Sequence, residues 1–83
     1  MQKVTLYTTD HCPHCTRAKN LLKRKNIPFK EINLTDNAAL RDELEEKTGW
    51  MTVPMIFIGE TFIGGADDLY ALEASGELDK KLE

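Results

Sequence analysis

The chain has no long apolar run, no surplus of positive charge and very little cysteine. Nowhere in its 83 residues does an apolar stretch approach the roughly 18 residues that would cross a bilayer. With 11 Lys and Arg against 14 Asp and Glu, the formal net charge is −3, a poor match for nucleic acid. Glycine and proline number only 5 and 3, and no repeat, linker or low-complexity segment is found. Polar residues interrupt the apolar ones directly after Met1, so no secretory leader pattern forms, and a cytoplasmic location is expected. At this length, one domain over residues 1–83 with a modest core is expected. Two cysteines are too few for a disulfide scaffold. In a reducing compartment such a pair is more often catalytic or metal-binding than a structural staple.

That pair sits in Cys12-Pro13-His14-Cys15. The motif follows a β-like run, Val4 to Tyr7, and opens a helix-like run, Thr16 to Lys25. Residues i and i+3 share a helix face, so the two sulfurs fall within bonding reach. The first sulfur stands where unpaired N–H groups and the positive end of the helix dipole favour a thiolate. Pro13 suits the first helical position, where its missing N–H has no partner to lose. His14 between the sulfurs either adds positive charge beside Cys12 or points to solvent. His11, Cys12, His14 and Cys15 also resemble a ligand cluster, but zinc sites draw on separated pairs and no second pair follows. No metal site is expected. A c-type haem attachment needs histidine at position 16, where Thr16 stands.

Apolar periodicity predicts a first strand over about Lys3–Tyr7 and a helix over about Pro13–Lys25, with Cys15, Ala18, Leu21 and Leu22 inward and Asn26 as its C-cap. Phe29–Asn33 reads as a second strand. Thr35 or Asp36 is the expected N-cap of a second helix reaching about Lys47, with Ala39, Leu40 and Leu44 as its apolar stripe. Its acids, Asp42, Glu43, Glu45 and Glu46, read as a solvated face. Pro54–Ile58 is a buried strand, Gly59-Glu60 a turn and Thr61–Ile63 its hairpin partner. Gly64-Gly65 breaks the strand. Ala66–Ala74 forms a third helix with Leu69 and Leu72 inward, Gly76 stops it, and Glu77–Glu83 adds a short final helix. A βα crossover makes the first two strands parallel. The hairpin adds antiparallel partners, which gives an α/β fold with a four-stranded mixed sheet and helices on both faces.

Four blocks in this order carry a resemblance: Leu6-Tyr7-Thr8, Cys12-Pro13-His14-Cys15, Thr52-Val53-Pro54, and Gly64-Gly65-Ala66-Asp67-Asp68-Leu69. Together they resemble the glutaredoxin family of the thioredoxin-like fold, specifically small bacterial dithiol members. The resemblance implies a glutathione-dependent thiol–disulfide oxidoreductase that reduces protein disulfides and glutathione mixed disulfides. Glutathione is then a co-substrate, and no permanently bound cofactor is implied. It implies a cis peptide bond before Pro54, with the Val53 backbone facing the cysteine part of glutathione. Thr52 belongs to the same segment. Asp67 and Asp68, at the start of the third helix, are implied to meet the γ-glutamyl end, and Arg41 the glycine carboxylate. Cys12 is implied as nucleophile, Cys15 as resolving thiol, and Pro13 and His14 as tuning residues. The partners implied are glutathione and disulfide or glutathionylated proteins, met by a monomer.

Two departures stand out. Thr9, followed by Asp10, occupies a position where many glutaredoxins carry lysine, and Lys19 lies more than a turn along the helix. Trp50-Met51 precedes the Thr-Val-Pro segment where an arginine and a small polar residue are common, and Trp50 is expected near the groove rim. Tyr7 either packs or lines the groove. Two alternatives keep the fold: a thioredoxin-like redoxin reduced by a flavin thioredoxin reductase, and a glutaredoxin carrying an iron–sulfur cluster.

Overall fold

A computed structural model describes Met1–Glu83. Its elements follow in the order β1 (Val4–Thr8), α1 (Pro13–Arg24), β2 (Phe29–Asn33), α2 (Ala38–Thr48), β3 (Met55–Ile58), β4 (Thr61–Gly64), α3 (Ala66–Ser75) and α4 (Glu77–Leu82). The sheet order is β2-β1-β3-β4. β1 and β2 are parallel, with Val4 opposite Phe29. β1 pairs with β3 antiparallel, and so does β3 with β4, with an irregularity between Ile56 and Phe57.

Strand side chains alternate between faces, and this alternation builds two apolar layers. Val4 and Leu6 of β1 and Ile56 and Ile58 of β3 pack with Ala18, Leu21 and Leu22 of α1, Leu69 of α3, and Leu78 and Leu82 of α4. On the other face, Tyr7, Met55 and Phe57 pack with Leu34 and with Leu40 and Leu44 of α2. α1, α3 and α4 therefore cover one face and α2 the other. Tyr7 meets Phe57 edge-on at 5.6 Å between ring centroids, so it packs on the α2 side. Leu6, Leu21, Leu22 and Leu69 are fully buried. Truncating one of them to alanine would cost about 2–5 kcal/mol.

Several boundaries differ from the sequence reading, each for a local reason. β1 begins at Val4 and includes Thr8. α1 ends at Arg24, and Lys25 rather than Asn26 is its C-cap. Asn26 follows in the left-handed region at φ 59°, which asparagine tolerates. The N-cap of α2 is Asn37, not Thr35 or Asp36. Its Oδ1 accepts from Leu40 N at 3.2 Å, while the Thr35 hydroxyl accepts from Asp10 N at 2.8 Å. Ala39 is exposed and Leu40 half-buried, which leaves Leu44 as the one fully buried residue of α2. β3 starts after Pro54, which has no N–H for a ladder bond. Leu72 is only half-buried. The tail forms α4, and Gln2 N donates to Leu82 O at 2.6 Å, tying the two ends of the chain together.

Candidate functional site

Between β1 and α1 the chain turns through Thr9, Asp10 and His11. His11 adopts the left-handed region at φ 55°. The turn is anchored to the segment after β2: Asn33 Nδ2 donates to the Asp10 carboxylate at 2.9 Å, and Asp10 N donates to Thr35. The negative charge next to Thr9 is thus held by Asn33. Cys12 follows as the N-cap of α1, with Pro13 in the first turn.

Cys12 and Cys15 form a disulfide with Cα atoms 5.2 Å apart. Cys15 N donates to Cys12 Sγ at 3.1 Å, so the helix start directs a hydrogen bond and its positive end at this sulfur. Cys12 is half-buried, whereas Cys15 is 1% exposed beneath α1. A sulfur arriving from solvent therefore meets Cys12 and not Cys15. Across from Cys12, the carbonyl oxygen of Val53 lies 3.8 Å from its Sγ, and the Val53–Pro54 bond is cis.

A groove of about 440 Å³ opens beside the disulfide. His14, Trp50, Thr52, Val53 and Pro54 line one part of it, and Gly65, Ala66, Asp67 and Asp68 line the end formed by the start of α3. Six residues predicted from the sequence thus come together. Arg41 does not join them. Its Nε pairs with Glu45 Oε2 at 3.2 Å, and its Nη2 donates to Met51 O at 3.4 Å. It buttresses the backbone just before Thr52, and Glu45 is drawn off the solvated acidic face. Pro13 is exposed at the start of α1, outside the groove lining.

The two acids at the start of α3 behave differently. Asp68 Oδ2 accepts from Gly65 N at 3.0 Å, so this carboxylate closes the helix end on itself. The Asp67 side chain is 87% exposed and pairs with Arg17 Nη1 at 3.2 Å. Sequence reasoning missed Arg17, which reads there as one more surface cation on α1. The same Nη1 lies 3.1 Å from His14 Nδ1. A guanidinium has only donors, so Nδ1 is the acceptor and His14 is held rather than free. Arg17 also lies over the Tyr70 ring, 5.0 Å from its centroid, and Tyr70 OH donates to Arg17 O at 3.2 Å. The one signal in the sequence was the i, i+3 spacing of His14 and Arg17 on a helix face.

Trp50 stands in the groove wall, its ring edge-on to Phe62 at 5.7 Å. Its Nε1 is buried and has no hydrogen-bond partner. A buried donor left this way costs about 1–3 kcal/mol. Below the site, the Thr8 hydroxyl donates to Glu31 Oε2 at 2.8 Å, and Lys19 Nζ pairs with the same oxygen at 3.1 Å. The Thr8 hydrogen bond, then Lys19, holds the Glu31 carboxyl below its ordinary pKa against the opposing effect of burial. Lys19 is therefore engaged by β2 and supplies no substitute for the cation absent at Thr9. No group of three or more His, Cys, Asp or Glu side chains gathers as a metal site.

A disulfide at a helix N-terminus, facing a cis-proline loop on this sheet, defines a thiol–disulfide oxidoreductase of the thioredoxin-like fold. Within that class the relatives are specific. The glutaredoxin family model matches residues 4–63, and the chain belongs to the glutaredoxin family. It is 54% identical to a glutaredoxin of Pseudomonas aeruginosa over 99% of this chain and 98% of the relative. To glutaredoxin 3 of Escherichia coli it is 49% identical over the whole of both chains. The solution structure of glutaredoxin from Brucella melitensis superposes with a TM-score of 0.88 at 50% identity, covering 99% of this chain and 89% of that one. A buckwheat glutaredoxin–glutathione complex superposes with a TM-score of 0.92 at 30% identity, covering 98% and 76%.

Proposed function

We propose that this chain reduces protein disulfides and glutathione mixed disulfides with glutathione as its reductant. The observation that carries the reading is the groove. It joins the half-buried Cys12 and the Val53 backbone to the start of α3, and a buckwheat relative of the same fold is known in complex with glutathione. The cysteine part of glutathione lies along Val53, with Thr52 and Pro54 shaping that wall. Asp67 receives the γ-glutamyl ammonium, while Asp68, bonded back to Gly65 N, fixes the helix start whose remaining N–H groups take the γ-glutamyl carboxylate. Arg41 acts on the glycine end, directly or by fixing Met51. Pro13 tunes the pair by setting the helix start, and His14 through its bond to Arg17.

On a glutathionylated substrate, the Cys12 thiolate attacks the glutathione sulfur. A Cys12–glutathione disulfide forms, and the substrate sulfur leaves as a thiolate that takes up a proton. A second glutathione thiolate attacks that bond, releases oxidised glutathione and restores Cys12. On a protein disulfide, Cys12 forms a mixed disulfide with one partner sulfur. Cys15 then attacks Cys12 and expels the partner as a dithiol, leaving the disulfide seen here. Two glutathione molecules reduce it again. The chain acts as a monomer in the cytoplasm, where glutathione is kept reduced.

A paired turnover assay tests this. One arm couples a small mixed disulfide to glutathione and glutathione reductase, and the other couples it to thioredoxin reductase, both driven by NADPH. Rapid NADPH loss in the glutathione arm alone is expected. Turnover in the thioredoxin reductase arm alone would overturn the proposal.

A further inference from the structure

Trp50 is the chain's only tryptophan, and its Nε1 is the one buried side-chain N or O atom without a hydrogen-bond partner. Buried polar groups are normally paired, so an orphan in a groove wall points to a partner that arrives from outside. The ring is wedged. Phe62 meets it edge-on, and a Cβ added to Gly65 would lie 3.4 Å from its Cζ2 and 3.9 Å from its Nε1. Gly65 is the N-cap of α3. The orphan N–H therefore stands beside the start of that helix, where Asp68 already takes Gly65 N and the N–H groups of the first turn beyond it favour a second carboxylate.

We infer that Trp50 is a specificity-determining residue whose indole N–H donates to the α-carboxylate at the γ-glutamyl end of the substrate. This rests on the glutathione reading and adds a donor to it. In the ligand-free chain the atom is covered, so entry of the carboxylate requires a small movement of the ring, and the single indole reports the event. Asp67 on the same wall takes the ammonium, which leaves the carboxylate to the indole and the helix start. Free amino acids lack the cysteinyl-glycine part that lies along Val53, and peptides without the γ-glutamyl group leave the indole unpaired.

The test is a nitrogen–proton NMR titration of the full chain, which contains one indole N–H signal. The probe is S-methylglutathione, which binds without exchanging a disulfide, with S-methylcysteinylglycine as the truncated control. A downfield shift of the indole signal with the first probe and none with the second is expected. Trp50→Phe, which keeps an aromatic ring against Phe62, should raise KM for a glutathione mixed disulfide about tenfold at unchanged kcat. If the backbone amides of Val53 and Asp67 shift while the indole signal stays, glutathione binds and the inference is overturned. The same holds if both probes move the indole equally. If no signal moves, the glutathione reading itself falls and this inference with it.

Discussion

Replacing Asp68 and Asp67 in turn separates a structural carboxylate from the one proposed to bind substrate. Asp68→Ala removes the acceptor of Gly65 N and a first-turn negative charge from α3. Loss of the cap contributes about 1 kcal/mol and loss of the charge about 0.5 kcal/mol. A total of about 1.5 kcal/mol lowers Tm by roughly 6–12 °C in a domain of this size. Asp67→Ala should differ. Its side chain is 87% exposed and its pair with Arg17 lies at the surface, so the whole change costs under about 1 kcal/mol. It should instead raise KM for a glutathione mixed disulfide about tenfold, since the proposed charge-assisted bond to the substrate is lost. Asp68→Asn keeps an acceptor for Gly65 N and should recover most of the stability lost in Asp68→Ala. Thermal unfolding followed by circular dichroism, with turnover on the same samples, gives both quantities. Equal Tm losses at the two positions, or an Asn variant as unstable as the Ala variant, would refute the assignment.

Cys15→Ser should keep turnover of glutathione mixed disulfides and lose most reduction of protein disulfides, because on the proposed division of roles the buried Cys15 sulfur only resolves. Cys12→Ser should lower both by more than roughly a hundredfold, and equal losses in the two variants would exclude this division. The paired glycines should respond unequally. Gly64 holds φ +114° and a Cβ there would collide with the Asp68 carboxylate, so Gly64→Ala costs about 2–3 kcal/mol. Gly65 has an ordinary φ of −101° and a Cβ there meets Trp50 at 3.4 Å, a van der Waals contact, so Gly65→Ala changes stability by under about 1 kcal/mol, and equal urea midpoints would contradict this. Glu31 is held below its ordinary pKa, so the folded chain binds that proton less readily than the unfolded one. The resulting stabilisation is complete above the ordinary value of 4.5 and is lost as pH falls through the lower folded value. Thr8→Val should therefore cost about 1 kcal/mol at pH 7, a difference that shrinks as pH falls below 4.5. A gap in urea stability that does not change with pH would argue against the coupling.

Much of the architecture was legible because apolar spacing carries it. Val4 and Leu6 alternate with Tyr7 across the sheet, and Ala18, Leu21 and Leu22 recur at helical spacing. Caps were less legible. Thr35, Asp36 and Asn37 are three successive residues of capping type; Asp10, distant in sequence, engages the Thr35 hydroxyl, and it is Asn37 that makes the capping bond. Ala39 looked apolar but turned outward, since α2 covers the sheet with a narrow face. At the site, both cysteines and the Val53–Pro54 loop followed from motif order. Arg17 did not, because its partners Asp67 and Tyr70 come from α3. Nor did the pairing of Arg41 with Glu45, although the i, i+4 spacing allowed it.

The bond between Gln2 and Leu82 has a practical consequence. Both chain ends lie at the start of β1, while the disulfide follows its far end. Five residues of strand separate them, about 17 Å at the usual rise. A fluorescent protein attached at either end would stand clear of the groove, and a donor and an acceptor placed one at each end would begin close together. A label at either end is thus expected to leave disulfide exchange at Cys12 undisturbed, which equal turnover of the tagged and untagged chains would check.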